Sequence, residues 1–310
     1  MVNNIAFLLS TAMMYGSPLL YTALGGVISE NSGVINIGLE GIMCFGSFVA
    51  AWIAYVTGNV WLAFLAAGLG GALLALILAV SAISLRGDQT VVGTALNFIG
   101  PGLAIFLSRR FFDGAAQTIN LVSEQKMPKP FNNVFPSNGP LRTILNQDIG
   151  VYLSFVVVFI LWFVLYRTKY GLRIRACGEH PKAAASLGIN VKRYRYVCVL
   201  LSGVLGGFGG AMMSTAVASN FYPVLISGHG FIAMAAMIFG RWKPHGAMGA
   251  CMLFGLANGL RILLDGMVNF KGSTSILSML PYAITLLVLI FTAKNSAAPA
   301  ADGVPLEDTD

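Results

Sequence analysis

Long apolar stretches separated by short polar turns dominate the chain. A membrane-spanning helix needs roughly 20 mostly apolar residues, and stretches of about this length recur from one end of the sequence to the other. We therefore predict an all-α, polytopic transmembrane helix bundle with about nine membrane segments, some broken or short. The segments are Ile5–Ile28, Asn36–Thr57, Val60–Ser84, Val91–Ser108, Ile149–Tyr166, Tyr196–Ala218, Val224–Gly240, His245–Leu264 and Ser273–Ala293.

The predicted bundle forms one transmembrane domain over residues 1–294. Within it, Gly203 and Gly207 form a G-x-x-x-G pair, which predicts close packing of helices rather than a binding site. The remaining residues, 295–310, are rich in alanine, proline and acidic side chains. This composition predicts a disordered, solvated tail.

Composition supports a protein in lipid. The chain has 310 residues, of which 56% are hydrophobic and 10% charged, whereas soluble domains carry about 25% charged residues. The net charge of +7 arises from basic residues clustered between apolar segments. We interpret it as the lysine and arginine excess of cytoplasmic loops, with lipid as the surroundings and no nucleic-acid partner.

Loop charge predicts the orientation in the membrane. The stretch from Arg167 to Arg195 contains eight basic residues against one acid, Glu179, so it should be cytoplasmic. Counting segments outward places the N-terminus outside and the C-terminus inside. The long loop from Arg109 to Asp148 then lies outside despite its own basic residues, because long loops weigh less in this rule. We expect a multi-pass protein of the plasma (inner) membrane.

Several polar residues fall inside the apolar segments, where such groups are costly and often functional. Asn36 and Glu40 are spaced i and i+4 and share a helix face. Asn36 is predicted to line a translocation path that Glu40 orders, or Glu40 instead caps a neighbouring helix. His229 is either a proton relay or, with more support, a neutral packing histidine. Arg261, near an outer segment end, is expected to reach the interface without a transport role.

The fourth segment carries a second polar group. Gln89, Thr90, Thr94 and Asn97 offer amide and hydroxyl groups suited to an uncharged polar solute, and Gly100-Pro101 should break or bend the helix. The alternative is that these side chains form interhelical hydrogen bonds. The predicted substrate path therefore comprises Asn36, Gln89, Thr90, Thr94 and Asn97.

Catalytic chemistry is missing from the sequence. It contains no paired-carboxylate site, no Ser/His/Asp arrangement, no metal-ligand cluster and no phosphate-binding G-x-x-x-x-G-K-[ST] loop. We expect no enzyme activity and no cofactor or metal bound by this chain. Uphill transport would need an ion gradient or another subunit, and only Glu40 is a plausible acid for ion coupling, which favours a separate ATPase.

The basic loop contains a short capped helix. Pro181 opens it, Lys-Ala-Ala-Ala-Ser-Leu follows, and Gly188 ends it. Held between two membrane segments, this helix could transmit a push from a partner, or it could be a plain connector.

This loop resembles the coupling-helix motif of binding-protein-dependent ABC (ATP-binding-cassette) permeases, in the branch of branched-chain amino acid, ribose and nucleoside importers. The match runs from Gly178 to Ile189 and continues through Lys192-Arg193-Tyr194. Residues 35–43, Ile-Asn-Ile-Gly-Leu-Glu-Gly-Ile-Met, resemble an early signature of the simple-sugar and nucleoside members, and residues 88–97 resemble a further segment of the nucleoside group. The resemblance covers roughly Ile5 to Phe291.

The resemblance implies a partner set. A second permease, favoured as a heterodimer partner over a second copy of this chain, would complete the membrane domain. Cytosolic ATPase subunits would use the ATP, and an extracytoplasmic binding protein would deliver substrate. The residues carried over to ATPase coupling are Gly178, Glu179, Pro181, Ala183, Ala184, Leu187, Gly188 and Ile189.

The resemblance favours nucleosides as the substrate of such an importer, with ribose or simple sugars and branched-chain amino acids as alternatives. A gradient-driven secondary transporter is the rival from another class, and a non-transporting membrane scaffold is a weaker one.

Overall fold

The computed structural model describes residues 2–132, 139–267 and 298–305. Within these ranges all regular structure is helical. The predicted ninth segment, Ser273–Ala293, lies outside the described residues. The α-helices are α1 Val2–Glu30, α2 Leu39–Thr57, α3 Val60–Ala79, α4 Gln89–Phe111, α5 Pro140–Leu145, α6 Ile149–Arg167, α7 Lys169–Glu179, α8 Pro181–Ser186, α9 Val191–Met212, α10 His229–Phe239 and α11 Pro244–Met267.

Seven helices in the described ranges are long and apolar enough to span a membrane, so the chain is a multi-pass membrane protein. They are α1, α2, α3, α4, α6, α9 and α11, and their bounds follow the predicted segments closely. Helices α3 and α9 each continue into a π-helical turn, Val80–Ser84 and Met213–Val217.

The predicted segment Val224–Gly240 is broken, which fits the prediction that some segments are broken or short. Residues 224–228 form turns, and α10 has only 11 residues, which at about 1.5 Å per residue is half the thickness of a bilayer core. The chain therefore covers this distance with an irregular segment followed by a half-length helix. Apolar composition continued across both parts, which is why hydropathy could not separate them.

Helix α4 has no break at Gly100-Pro101, because it runs uninterrupted through this pair, and the alternative of a bend stays a prediction. Gly100 packs directly on Gly41 of α2, and a Cβ atom added to Gly100 would lie 2.2 Å from the Gly41 carbonyl oxygen. The glycine thus serves helix contact rather than a break. Membrane helices tolerate an internal proline when neighbouring groups compensate for the lost hydrogen bond.

Small residues bring the central helices together. Helix α9 packs against α1, α2 and α3. A Cβ on Gly203 would lie 2.5 Å from the Gly71 carbonyl oxygen, and one on Gly207 2.1 Å from that of Ala67. Close backbone approach of this kind is how membrane helices associate without a hydrophobic driving force, as the G-x-x-x-G spacing predicts.

The loops divide between two ends of the bundle. At one end, which we call the basic end, the turn at residues 30–36 meets the loops at 167–195 and 240–244; Asn31 Nδ2 donates to the Trp242 carbonyl at 3.0 Å. At the opposite end, the backbone N–H of Thr118 donates to the Phe221 carbonyl at 2.9 Å. This arrangement matches the alternation obtained by counting segments, while the membrane side of each end stays a prediction.

Candidate functional site

Glu40 binds the first turn of the half-length helix α10. Its two carboxylate oxygens accept the backbone N–H groups of Gly228 and Gly230, each at 2.6 Å. The N-terminus of a helix leaves N–H groups unpaired and carries partial positive charge, so a carboxylate stabilises it. The contact is the one expected if Glu40 caps a neighbouring helix, and it fixes α10 inside the bundle.

His229 is the first residue of α10. Its Nδ1 contacts the carbonyl oxygen of Ile226. A carbonyl oxygen only accepts, so Nδ1 carries the hydrogen, and in the neutral ring Nε2 is left as an acceptor. The contact ties the imidazole to the turn before the helix, as expected of a packing histidine.

Three of the predicted path residues make contacts around the extended segment that precedes α2. Gln89 Oε1 accepts the Ile35 N–H at 2.8 Å. Asn97 accepts the Gly41 N–H at 2.9 Å and donates to the Ile37 carbonyl at 3.0 Å. Asn36 Nδ2 donates to Ser202 Oγ at 2.9 Å. The contacts of Gln89 and Asn97 satisfy backbone groups that a non-helical segment leaves open inside a membrane, while Gln89 Nε2 and Asn36 Oδ1 are buried without a partner.

The other two, Thr90 and Thr94, lie on an exposed part of α4. Thr94 Oγ1 donates to the Thr90 carbonyl at 2.7 Å, within the same helix. The five residues therefore surround the junction of α2 and α4 without sharing one orientation. Their assignment to a substrate path stays a prediction.

The capped loop helix is present as α8 at the basic end. Ala184 is buried with Cys177 and Val191, which attaches α8 to α7 and α9. Gly188, with φ of +78°, ends the helix. The Leu187 side chain is 80% exposed, and Glu179 and Ala183 are also exposed. The loop thus presents a small, rigid surface with an apolar side chain at its centre.

Part of the C-terminal tail contacts this loop. The Ala301 N–H donates to the Gly178 carbonyl at 2.8 Å, and the Ala300 N–H donates to the Glu179 carboxylate at 3.2 Å. Arg195 Nη1 donates to the Val304 carbonyl at 3.0 Å. Residues 298–305 therefore differ from the predicted disordered tail, because backbone hydrogen bonds hold them to the basic end.

A cluster of charged side chains lies beneath these tail residues. Arg195 is almost fully buried, and its Nε donates to the Ser32 carbonyl at 3.2 Å. Glu30 accepts from the Trp242 indole N–H and lies beside Asp302. Burial raises the pKa of Asp302 to about 7, against the opposing effect of Arg195. The tail thus inserts a titratable group into the base of the bundle.

A cavity of about 500 Å³ lies where α9 ends and α10 begins. Sequence patterns did not indicate it, because its walls come from distant parts of the chain. Its polar lining residues are Tyr15, Tyr222, His229, Asn258 and Arg261. The signal available in the sequence was the presence of Asn258 and Arg261, three residues apart, in an apolar segment.

Comparison with known proteins gives consistent relatives. The family model described as "Branched-chain amino acid transport system / permease component" matches residues 8–289. The guanosine ABC transporter permease protein NupQ of Bacillus subtilis is 41% identical, with 98% of this chain and 97% of that protein covered.

Two further relatives cover most of the chain. The nucleoside ABC transporter permease protein NupC of Lactococcus lactis is 40% identical over 98% of this chain and 97% of its own. A putative glucose ABC transporter permease protein of Haloferax volcanii is 32% identical over 92% of this chain and 91% of its own. The same Bacillus and Lactococcus strains also have more distant relatives, named as the permease proteins NupP and NupB.

Proposed function

The chain belongs to the family of permease components of branched-chain amino acid transport systems, and we propose that it is the membrane-spanning subunit of an ATP-binding-cassette importer for nucleosides. The observation that carries the proposal is near-complete alignment at 40% and 41% identity with two permeases named for nucleoside and guanosine transport. The glucose-named relative is more distant, at 32%, which favours nucleosides over sugars.

Energy would enter through the loop helix α8. Its exposed surface at the basic end suits docking of a cytosolic ATPase, and Ala184 and Gly178 are buried beneath that surface. Force applied at Leu187 would pass through the buried contacts of α8 to α7 and α9. We place this end in the cytoplasm, with the N-terminus outside, on the basis of its basic residues.

A second permease would complete the path. Two organisms that have a similar permease also have a more distant one with a matching name, which supports a heterodimer. Thr90 and Thr94 lie on the exposed part of α4. Hydroxyl groups facing outward suit a polar path at the contact with that second permease better than a surface facing lipid.

Reconstitution tests the function. The chain would be assembled in proteoliposomes with its partner permease, ATPase and binding protein, and labelled guanosine uptake would be measured. We expect uptake only when ATP is present on the same side of the membrane as the ATPase. Uptake should stop when the ATPase is omitted. Uptake driven by an ion gradient without the ATPase would instead indicate a secondary transporter.

A further inference from the structure

The cavity between α9 and α10 has an unusual wall. Helix α9 ends in the π-helical turn Met213–Val217, and the chain then passes through residues 218–228 before α10 starts. In this irregular segment Ser219 has φ of +67° and Ser227 of +23°, both in the left-handed region. Strained backbone of this kind persists where surrounding contacts impose it, and it concentrates at ligand sites.

Outer-loop contacts hold the segment in place. The Leu121 N–H donates to the Ser219 carbonyl at 2.7 Å, and the Phe221 N–H donates to Thr118 Oγ1 at 2.9 Å. At its other end, Glu40 binds Gly228 and Gly230. The cavity therefore has a fixed floor, made by the start of a half-length helix, which is how transporters build midplane binding sites.

Four polar side chains of the wall lack partners. Within the part of the chain that the structure describes, Tyr15, Tyr222, Asn258 and Arg261 have no side-chain hydrogen bond or ion pair. At the junction of α2 and α4, Asn97 bonds to backbone through both ends of its amide, whereas Gln89 Nε2 and Asn36 Oδ1 are buried without a partner. A polar group inside a membrane protein is costly unless it meets water or a ligand. What distinguishes the cavity is that its unpaired groups surround an open volume of about 500 Å³.

The hydrogen-bond donors and acceptors of the cavity wall indicate which kind of solute would fit it. Arg261 only donates hydrogen bonds, Asn258 donates and accepts, and His229 can bond through Nε2 because its Nδ1 contacts the Ile226 carbonyl. Tyr15 and Tyr222 add aromatic faces and hydroxyls. Among the described residues that line the cavity, one is a formal cation and none is a carboxylate, which favours a solute rich in acceptors. A planar base with carbonyl and ring-nitrogen acceptors, joined to a hydroxylated sugar, fits this pattern.

We propose that this cavity binds a purine nucleoside on its way through the permease, with Arg261 and Asn258 on the base and His229 on a sugar hydroxyl. The proposal rests on the proposed function and adds to it the residues that recognise the substrate. A volume of about 500 Å³ falls within the range of roughly 300–1,000 Å³ seen for small-molecule sites.

Photolabelling of the purified full-length permease tests the site without the ATPase. We would irradiate it with 8-azidoguanosine and identify labelled peptides by mass spectrometry. Label is expected on peptides containing Tyr222 or Asn258, reduced by excess guanosine but not by ribose. Label confined to peptides with residues 36–40 or 89–97, or label that guanosine does not reduce, would overturn the proposal.

Uptake by the assembled importer is the second arm. Arg261→Gln should lower kcat/KM for guanosine about tenfold, since a hydrogen bond to a charged group is worth about 1.5–3 kcal/mol. Lys129→Gln, in the exposed loop between α4 and α5, is the matched control for the loss of a positive charge and should leave uptake unchanged. Equal uptake by Arg261→Gln and wild type would sink the proposal. Failure of wild-type uptake would count against the proposed function alone, because labelling needs no transport.

Discussion

Glu40 shows how one side chain can shape a membrane protein. Its carboxylate holds two N–H groups that lie 188 and 190 residues further along the chain. Such a carboxylate satisfies groups that otherwise cost free energy in an apolar interior. The half-length helix α10, and with it the floor of the cavity between α9 and α10, depends on this contact.

Glu40→Gln is therefore expected to destabilise the fold. Glutamine keeps one acceptor oxygen but places an NH₂ group against the other backbone N–H, so we expect a loss of about 1–3 kcal/mol. Thermal unfolding of the purified protein in detergent would measure it. Glu124→Gln, in the exposed loop between α4 and α5, is the control. Equal melting temperatures for the two variants would contradict the capping role.

Sequence spacing identified these polar residues but not their partners. Asn36 and Glu40 were predicted to share one helix face, yet α2 begins only at Leu39, so Asn36 lies in the extended segment before it. Because of the glycines at 33, 38 and 41, the sequence of this stretch was equally compatible with a helical and a non-helical backbone. Tertiary contact with Gln89 and Asn97 decided between them.

Among the elements, the tail segment 298–305 packs on the basic end of the bundle through hydrogen bonds. It forms hydrogen bonds with Gly178 and Glu179 at the end of α7 and with Arg195 of α9. It therefore connects the loop that contains α8 with helix α9. Its composition predicted disorder, because short alanine- and proline-rich sequences bury little apolar surface on their own. Backbone hydrogen bonds and the insertion of Asp302 offset that deficit.

Docking of this tail is expected to depend on pH. The pKa of Asp302 is raised to about 7, so the docked tail binds a proton that the free tail releases near its usual pKa of about 4. Docking is therefore strongest at low pH and weakens as pH rises from about 4 to about 7. Glu30, Arg195, Cys177 and Trp242 surround the site.

Cysteine accessibility measures this docking. A cysteine in place of Ala301, which is buried, should react with a maleimide faster at pH 8 than at pH 6. Because thiol ionisation also speeds this reaction, the rates are divided by those of a cysteine placed at exposed Lys182. The Asp302→Asn change in the same background should reduce the pH effect. An unchanged pH profile in that variant would argue against Asp302 as the titrating group.

Helix α8 carries the coupling prediction. Leu187 is 80% exposed at its end, and an apolar side chain projecting from a rigid helix suits insertion into a partner's groove. Leu187→Ala should lower ATP-driven uptake several-fold and weaken recovery of the ATPase with the permease. Leu172→Ala, 63% exposed on α7 in the same loop, is the matched control. Equal losses in both variants would show that the effect is not specific to α8.

For the molecule as a whole, the bundle was more predictable than its irregular parts. Hydropathy and charge gave the long helices and their alternation between two ends, because lipid demands long apolar helices. The same scale could not see that residues 224–228 are not helical. It also could not assemble the cavity, whose polar residues come from α1, α10, α11 and the segment between α9 and α10.

Helix α4 presents a largely exposed face at the side of the bundle. Only 22% of the membrane-spanning stretch of α4 is buried, and Phe98 is 76% exposed. The same helix has two exposed threonines, Thr90 and Thr94. Helix α3 has exposed leucines instead, such as Leu69. Exposed threonines distinguish the two surfaces, because α3 has no serine or threonine over Val60–Ala79. We therefore predict that the proposed second permease contacts the α4 side.

Disulfide cross-linking tests that assignment. The cysteines at 44, 177, 198 and 251 are all buried, so an introduced cysteine would be the accessible one. Thr94→Cys should form a cross-link to cysteines scanned along the partner permease, within the assembled importer. Leu69→Cys on α3 should not, because we expect lipid there. Cross-linking through position 69 but not 94 would move the partner to the α3 side and remove the support that Thr90 and Thr94 give to a path at the permease–permease contact.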